Sequence, residues 1–511
     1  MTPASPILPA ASVLPVDQET SRVVDHGPEL KRGALVNTVA ILASNFRGVF
    51  TFLVARLLGA ASLGTFLVAW ATTDILSKIG MFGLDNAIIP FIARAEVAGE
   101  RARSRALFHL AVFLALVQSA LVAVLAIVAV QFAGDRLRLD PQMAGVLSVL
   151  LCAMPGVNLY RICTAVSRAM KVMRHDIWSR GLTESSVTTL AFLAVVALGW
   201  RTYGAAIAAI IGTGASGLVA LALASSLFRS APSSRGVISY RAEARRLLGY
   251  SASISGYDLI NALILRLDVI MLGCFVGRAP GVTLAAVGIY GAVVEVANGL
   301  RKVNQAFTPI FAPLIAGMTA GGDQEHAAAT FSRVAQWMLW VLLPLFAVMA
   351  LAGSVILSIY GAEFRQGALW LDVVALACGT NCFVNLAETV IMVQRPGINL
   401  LNSAIAVVVG FLANLWLINS LGVIGAAFGI LLPYVLLGVL RHRTLHLVFG
   451  WERPWHNIAP PLLAAILAAA PAILCRYFFN NVAGQVGSAA VFLLIFGIEW
   501  QLHRRKEAKI N

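Results

Sequence analysis

The chain has 511 residues, 59% of them hydrophobic and only 12% charged, with a mean hydropathy of +0.83. A water-soluble protein cannot hide so much apolar surface, so its natural solvent is a bilayer. The formal charge of +14 points to orientation in that bilayer rather than to nucleic acid, because the basic residues gather in alternate loops.

Residues 1–33 are Pro-rich and lack a basic region ahead of an apolar run. They predict a disordered cytoplasmic tail, not a signal peptide. Apolar stretches then recur near 34–55, 63–92, 106–133, 142–167, 178–199, 204–228, 247–276, 284–315, 334–360, 367–393, 398–418, 422–440, 457–479 and 484–502. A helical crossing needs roughly 20 such residues, and long Ala/Leu/Val runs contradict the alternation of a β-barrel. The expectation is an all-α integral membrane protein of about 14 transmembrane helices.

Lys and Arg set the expected orientation. Basic clusters follow the second span (Arg94, Arg101, Arg103, Arg105), the fourth (Arg168, Lys171, Arg174, Arg180), the sixth (Arg229, Arg235, Arg241, Arg245, Arg246) and the twelfth (Arg441, Arg443, Arg453). Lys31 and Arg32 precede the first span, and Arg504, Arg505, Lys506 and Lys509 follow the last. The opposite loops hold few, about 7 against about 25, which puts both termini in the cytoplasm.

Two stretches rhyme. "RLLGAASLGTF" joins spans one and two, and "CFVGRAPGVTLAAVGIY" joins spans seven and eight. Gly59 and Gly64 in the first correspond to Gly277 and Gly288 in the second. "LGWRTYGAAIAA" before span six has a counterpart in "LGVIGAAFGIL" before span twelve. Spans one to six and seven to twelve therefore read as copies of one unit. Each copy has an even number of spans, so the copies enter the membrane in one direction. They are expected as two six-helix lobes related by a pseudo-two-fold axis along the membrane normal. The N-terminal lobe is 34–228, a basic cytoplasmic linker 229–246, and the C-terminal lobe 247–447. Residues 448–511 form the last two helices and a basic tail.

Charges within spans face the protein interior or a watery cavity. The expected set is Arg47; Asp74, Lys78 and Asp85; Arg161; Asp258, Arg266 and Asp268; Glu295, Arg301 and Lys302; and Glu388. Aligning Gly64 with Gly288 places Lys78 opposite Lys302, and aligning Gly59 with Gly277 puts Arg47 one residue short of Arg266. Arg47, Lys78, Arg266, Arg301 and Lys302 are thus expected to line a cationic cavity between the lobes, suited to an anion. Arg holds phosphate oxygens bidentately and Lys supplies a point charge. Asp74, Asp268, Glu295 and Glu388 are candidates for ion coupling or for balancing these charges. Asp74 and Lys78, four apart on one helical face, are also placed to neutralise each other. Asp85 and Arg301 are placed near an interface, within reach of water.

The six cysteines lie in or beside apolar runs, and the histidines are scattered without metal-ligand spacing. No nucleophile–base constellation or Gly-rich phosphate loop stands out, which disfavours an enzyme and leaves no cofactor or metal to expect.

"ARLLGAASLGTFLVAW...GLDNAIIPFIAR", "LRLDVIMLGCFVG...AAVGIYGAVVEVANGLRKVNQAFTPIFAPLIA", "SIYGAEFRQGALWLDVVAL" and "INSLGVIGAAFG" resemble, in order, segments of the polysaccharide-biosynthesis flippases. Those belong to the multidrug/oligosaccharidyl-lipid/polysaccharide exporter superfamily. The resemblance covers roughly residues 34–447. It implies flipping of undecaprenyl-diphosphate-linked oligosaccharide repeat units across the bacterial inner membrane by alternating access. The units would feed O-antigen, capsule or exopolysaccharide synthesis. It also implies coupling to a Na+ or H+ gradient, and a polysaccharide polymerase and chain-length regulator as partners. Lipid II flippases and multidrug exporters of the same superfamily are the alternatives, with a membrane glycosyltransferase or polymerase behind them.

Overall fold

The computed structural model describes residues 46–133, 140–230, 232, 239–451, 456–479 and 481–510. The expected tail and the opening of the first span lie outside them, as does much of the linker. The described residues are helical throughout, without a strand. The helices are α1 (Phe46–Met81), α2 (Leu84–Val97), α3 (Arg101–Ala133), α4 (Pro141–Leu151), α5 (Met154–Ala169), α6 (Ser185–Ala197), α7 (Arg201–Ser226) and α8 (Tyr240–Cys274). They continue with α9 (Leu284–Ala320), α10 (Gln324–Ser358), α11 (Ala368–Gln394), α12 (Pro396–Leu421), α13 (Val423–Phe449), α14 (Ala459–Phe478) and α15 (Val482–Ile510).

Among the described residues, eleven helices are long and apolar enough to cross a membrane. Each difference from the expected spans has a local cause. The first two spans are joined in α1, which turns back at Gly59 (φ 82°). Phe50 and Phe66 prove the reversal: their rings lie edge to face at 5.3 Å, whereas a straight helix would set them about 24 Å apart. The fifth span starts with a π-helical stretch, Ile177–Glu184, ahead of α6. The seventh, α8, carries Asp258, Arg266 and Asp268 in its apolar part. Outward-facing Leu121, Leu463 and Leu494 are more than half exposed, as lipid-facing side chains should be. The chain is a multi-pass membrane protein.

Local chemistry sets the helix starts. Pro141 opens α4, where a missing N–H costs nothing, and Asp140 Oδ1 accepts from the amides of Gln142 (2.9 Å) and Met143 (3.1 Å). Removing that cap costs about 1 kcal/mol. Asp140→Ala should lower the unfolding temperature of the purified protein slightly, and an unchanged melt would show that the cap contributes nothing.

α1 to α7 pack on one another, and so do α8 to α13. α1 and α2 join the two sets through α8 and α9. α14 and α15 pack on each other and on α10, around Trp340, Ala468 and Phe492. The two sets approach closely at Gly64 and Gly288. A Cβ on Gly64 would collide with the Leu284 carbonyl oxygen and lie 2.8 Å from the Gly288 nitrogen. A Cβ on Gly288 would collide with the Ala60 carbonyl oxygen and lie 2.9 Å from the Gly64 nitrogen. The contact is reciprocal, as a two-fold relation requires. Both pairs, 64 with 288 and 60 with 284, differ by the same 224 positions.

Candidate functional site

Below that contact, three helices of the first set meet α8. Asp74 sits on the inner face of α1. Its Oδ1 accepts from Arg161 Nη2 of α5 at 2.7 Å, and its Oδ2 accepts from Arg266 Nε of α8 at 3.2 Å. Arg161 Nη1 also donates to Ser77 Oγ (2.7 Å), and Asn158, one turn earlier, donates to the Ser77 carbonyl (3.0 Å). These bonds key α5 to α1, so Arg161 is presented in a fixed direction. The side chains of Asp74, Arg161 and Arg266 are 19, 16 and 31% exposed. The cluster is therefore reachable rather than sealed.

A turn follows α1, with Phe82 (φ 51°) and Gly83 (φ 73°) in the left-handed region. It brings Asp85 back to Lys78 Nζ at 3.1 Å. Asn86 Nδ2 donates to Asp258 Oδ2 of α8 at 2.8 Å, a second polar bond between the two sets. Further out, Arg103 at the start of α3 pairs with Glu243 at the start of α8 at 2.8 Å.

The second set holds two more clusters. Asp268, 2% exposed, accepts from Tyr290 Oη at 2.7 Å. Arg301 Nη2 donates to Tyr434 Oη at 2.8 Å, with its guanidinium carbon 5.6 Å from that ring's centroid. Arg301 and Arg266 both act electrostatically on Asp268. Glu388 of α11 accepts from Tyr257 Oη (2.7 Å) and from Asn399 Nδ2 (3.4 Å), and pairs with Arg441 Nη2 of α13 (2.9 Å). Arg441 Nη1 also donates to Asn385 Oδ1 at 2.9 Å.

Residues 30–317 match the family model described as polysaccharide biosynthesis protein. The chain belongs to that family. It is 24% identical over 476 residues to a probable low-salt glycan biosynthesis flippase, Agl15, of Haloferax volcanii, covering 88% of this chain and 89% of that one. Its fold is similar to that of the lipid II flippase MurJ in an inward closed conformation, with a TM-score of 0.69 and 10% identity. That match covers 93% of this chain and all of the other. An inward-facing multidrug resistance transporter of the MATE family, in the MOP superfamily, gives a TM-score of 0.68 at 11% identity. It covers 82% of this chain and 98% of that one. These two likenesses concern the fold.

Within this polysaccharide biosynthesis protein, the residues expected from sequence fall into distinct places. Arg266 and Asp74 are brought together directly. Lys78 meets Asp85, seven positions on, instead of balancing Asp74. Asp85 is buried rather than hydrated, and Arg301 is held inside against Tyr434. Lys302 lies beside Arg301 on α9, half-buried. The helix position of Arg47 belongs to α1, but its side chain lies outside the described residues. Glu295 reaches that region: its Oε1 would lie 3.9 Å from a Cβ on Gly48. Of the expected cations, Lys78 and Arg266 each meet a carboxylate and Arg301 meets a phenol.

Sequence reasoning left two arginines out of the cavity set. Arg161 was legible as an intramembrane charge, but nothing in the chain pointed to Asp74 as its partner. Arg441 is a correction. It was expected in the basic loop after the twelfth span, whereas α13 runs on to Phe449 and leaves Arg441 only 2% exposed. Arg180, in the π-helical stretch rather than a loop, acts electrostatically on Arg161, Glu184 and Asp176.

Proposed function

We propose that this chain flips undecaprenyl-diphosphate-linked oligosaccharide repeat units from the cytoplasmic to the periplasmic leaflet of the bacterial inner membrane. The repeat units serve exopolysaccharide, capsule or O-antigen synthesis. One observation carries the reading: guanidinium groups from both helix sets, Arg161 and Arg266, converge on a single partly exposed anion position. A fork of N–H donors matches phosphate oxygens, and a low-dielectric wall strengthens the attraction. Family membership supports a glycan pathway, and the name of the Haloferax volcanii relative supports flipping.

In this reading Arg47, Lys78, Arg301 and Lys302 add positive potential along the path, and the two helix sets rock about the Gly64–Gly288 contact to alternate access. Asp74, Asp268, Glu295 and Glu388 are the groups through which a Na+ or H+ gradient would be coupled or the arginines held. Both termini are cytoplasmic, and a polymerase with its chain-length regulator receives the product. The cation excess at the inner helices disfavours an exporter of cationic drugs.

Deletion of the protein should trap lipid-linked repeat units on the cytoplasmic side and stop polymer export. Normal export and normal lipid-intermediate levels in a strain without a paralogue would refute the reading. Arg47→Ala and Lys302→Ala should each abolish export, with the protein still in the membrane by immunoblot. Full export in both would refute the cationic path.

A further inference from the structure

The position that the diphosphate would take is filled by the protein's own carboxylate. Asp74 receives one guanidinium at 2.7 Å and a second at 3.2 Å, one from each helix set. Two guanidiniums on the two oxygens of one anion reproduce the way a phosphate oxygen pair is held. From this geometry we infer that Asp74 is a built-in competitor for the anion site, and that the substrate diphosphate must displace it from Arg266 before transport proceeds. The inference rests on the flippase reading above and specifies how its site is emptied and filled.

Three observations support it. First, the carboxylate is not demanded by the packing of these helices. At the offset of 224 that pairs Gly64 with Gly288 and Lys78 with Lys302, the counterpart of Asp74 is Asn298, a neutral side chain of the same shape. One half of the repeat thus folds with the amide where the other carries the acid. Second, the two arginines are held unequally. Arg161 has Ser77 Oγ as a further acceptor on α1, so it stays with the first set. Arg266 reaches the first set by donating from Nε to Asp74 Oδ2, and breaking that bond loosens α8 from α1 at this level. Third, the cluster is partly exposed. An anion from outside can therefore reach the guanidiniums, and the displaced carboxylate stays within reach of water.

Displacement links occupancy to conformation. While Asp74 bridges Arg161 and Arg266, α1, α5 and α8 are tied together. A diphosphate that takes both guanidiniums leaves the tie in the hands of the substrate, and release of the substrate restores it. An empty transporter is then held closed at this level by the same groups that recognise the cargo. Its energetic requirement is that the diphosphate binds these arginines more tightly than Asp74 does.

The test uses the full-length protein purified in micelles and titrated with inorganic pyrophosphate by calorimetry. Asp74→Asn should bind it at least about tenfold more tightly than the wild type, equivalent to about 1.4 kcal/mol. Asp74→Ala serves as a second variant and should behave alike. Adding Arg266→Gln to Asp74→Asn should remove the gain. A polyprenyl diphosphate in the same micelles should compete with pyrophosphate. Equal affinity in wild type and Asp74→Asn overturns the displacement. So does retention of the gain with Arg266→Gln, or binding of pyrophosphate with no competition from the lipid, which would mark a free-anion site. The flippase reading is decided separately, because the trapping of lipid-linked units in the deletion strain does not depend on Asp74.

Discussion

Gly288→Ala should remove most folded protein from the membrane. The added methyl would drive into the Ala60 carbonyl oxygen and crowd the Gly64 nitrogen at 2.9 Å. Both obstacles are backbone of an opposed helix, so no side chain can rotate away. Overpacking typically costs 1–3 kcal/mol and sometimes more, and this site belongs at or above about 3 kcal/mol. Gly64→Ala meets the Leu284 carbonyl in the same way. The check is the unfolding temperature in detergent, with membrane abundance alongside. Gly379 in α11 is the control, since a Cβ there meets nothing within 4 Å. Its alanine variant should melt at or above wild type, because glycine is costly within a helix. The double variant sharpens the argument. If Gly64 and Gly288 share one contact, the first methyl already separates the helices, and the second adds less than its single cost. Full additivity would show that the two glycines relieve unrelated clashes.

That contact was within reach of the sequence, and the reason is physical. A reciprocal helix crossing at this distance needs a residue without a Cβ on each side, and a duplicated unit writes that need twice at one offset. Helix positions were legible for a similar reason, since a bilayer demands long apolar runs. Ion-pair partners were not. The spacing of Asp74 and Lys78 suggests a pair on one face, but the left-handed turn at Phe82 and Gly83 swings Asp85 back to Lys78. Asp74 is then available to arginines on other helices, 87 and 192 positions away. Sequence spacing carries no information about contacts of that range. The misplacement of Arg441 has another cause. A basic residue at the end of an apolar run looks like the start of a loop, unless a buried acid on another helix keeps the helix going.

Arg441 supplies the other large expected effect. Arg441→Met should destabilise the protein by about 3–5 kcal/mol, because it leaves Glu388 without its cation inside the helix bundle. The pair lies at 2.9 Å, with Arg441 2% and Glu388 19% exposed, so water replaces the guanidinium only in part. Tyr257 and Asn399 would still donate to Glu388, but two neutral donors do not replace a charge. Glu388→Gln should cost about as much, because it leaves the Arg441 guanidinium, 2% exposed, without its carboxylate and with neutral partners alone. The amide oxygen keeps the Tyr257 bond, and Arg441 retains Asn385 Oδ1 at 2.9 Å. The double variant Arg441→Met with Glu388→Gln should recover much of the loss, since removing both charges also removes their desolvation cost. Thermal unfolding of the four proteins closes the cycle. An Arg441→Met protein that melts like wild type would mean that Glu388 is satisfied without Arg441, and that the ion pair does not hold α11 to α13. A large single loss with recovery in the double variant would show that the two charges are there for each other. Export measured on the double variant then decides whether transport needs them as well. If the pair serves only to join α11 to α13, flipping should survive its replacement; if Glu388 couples an ion, export should fail although the fold is restored.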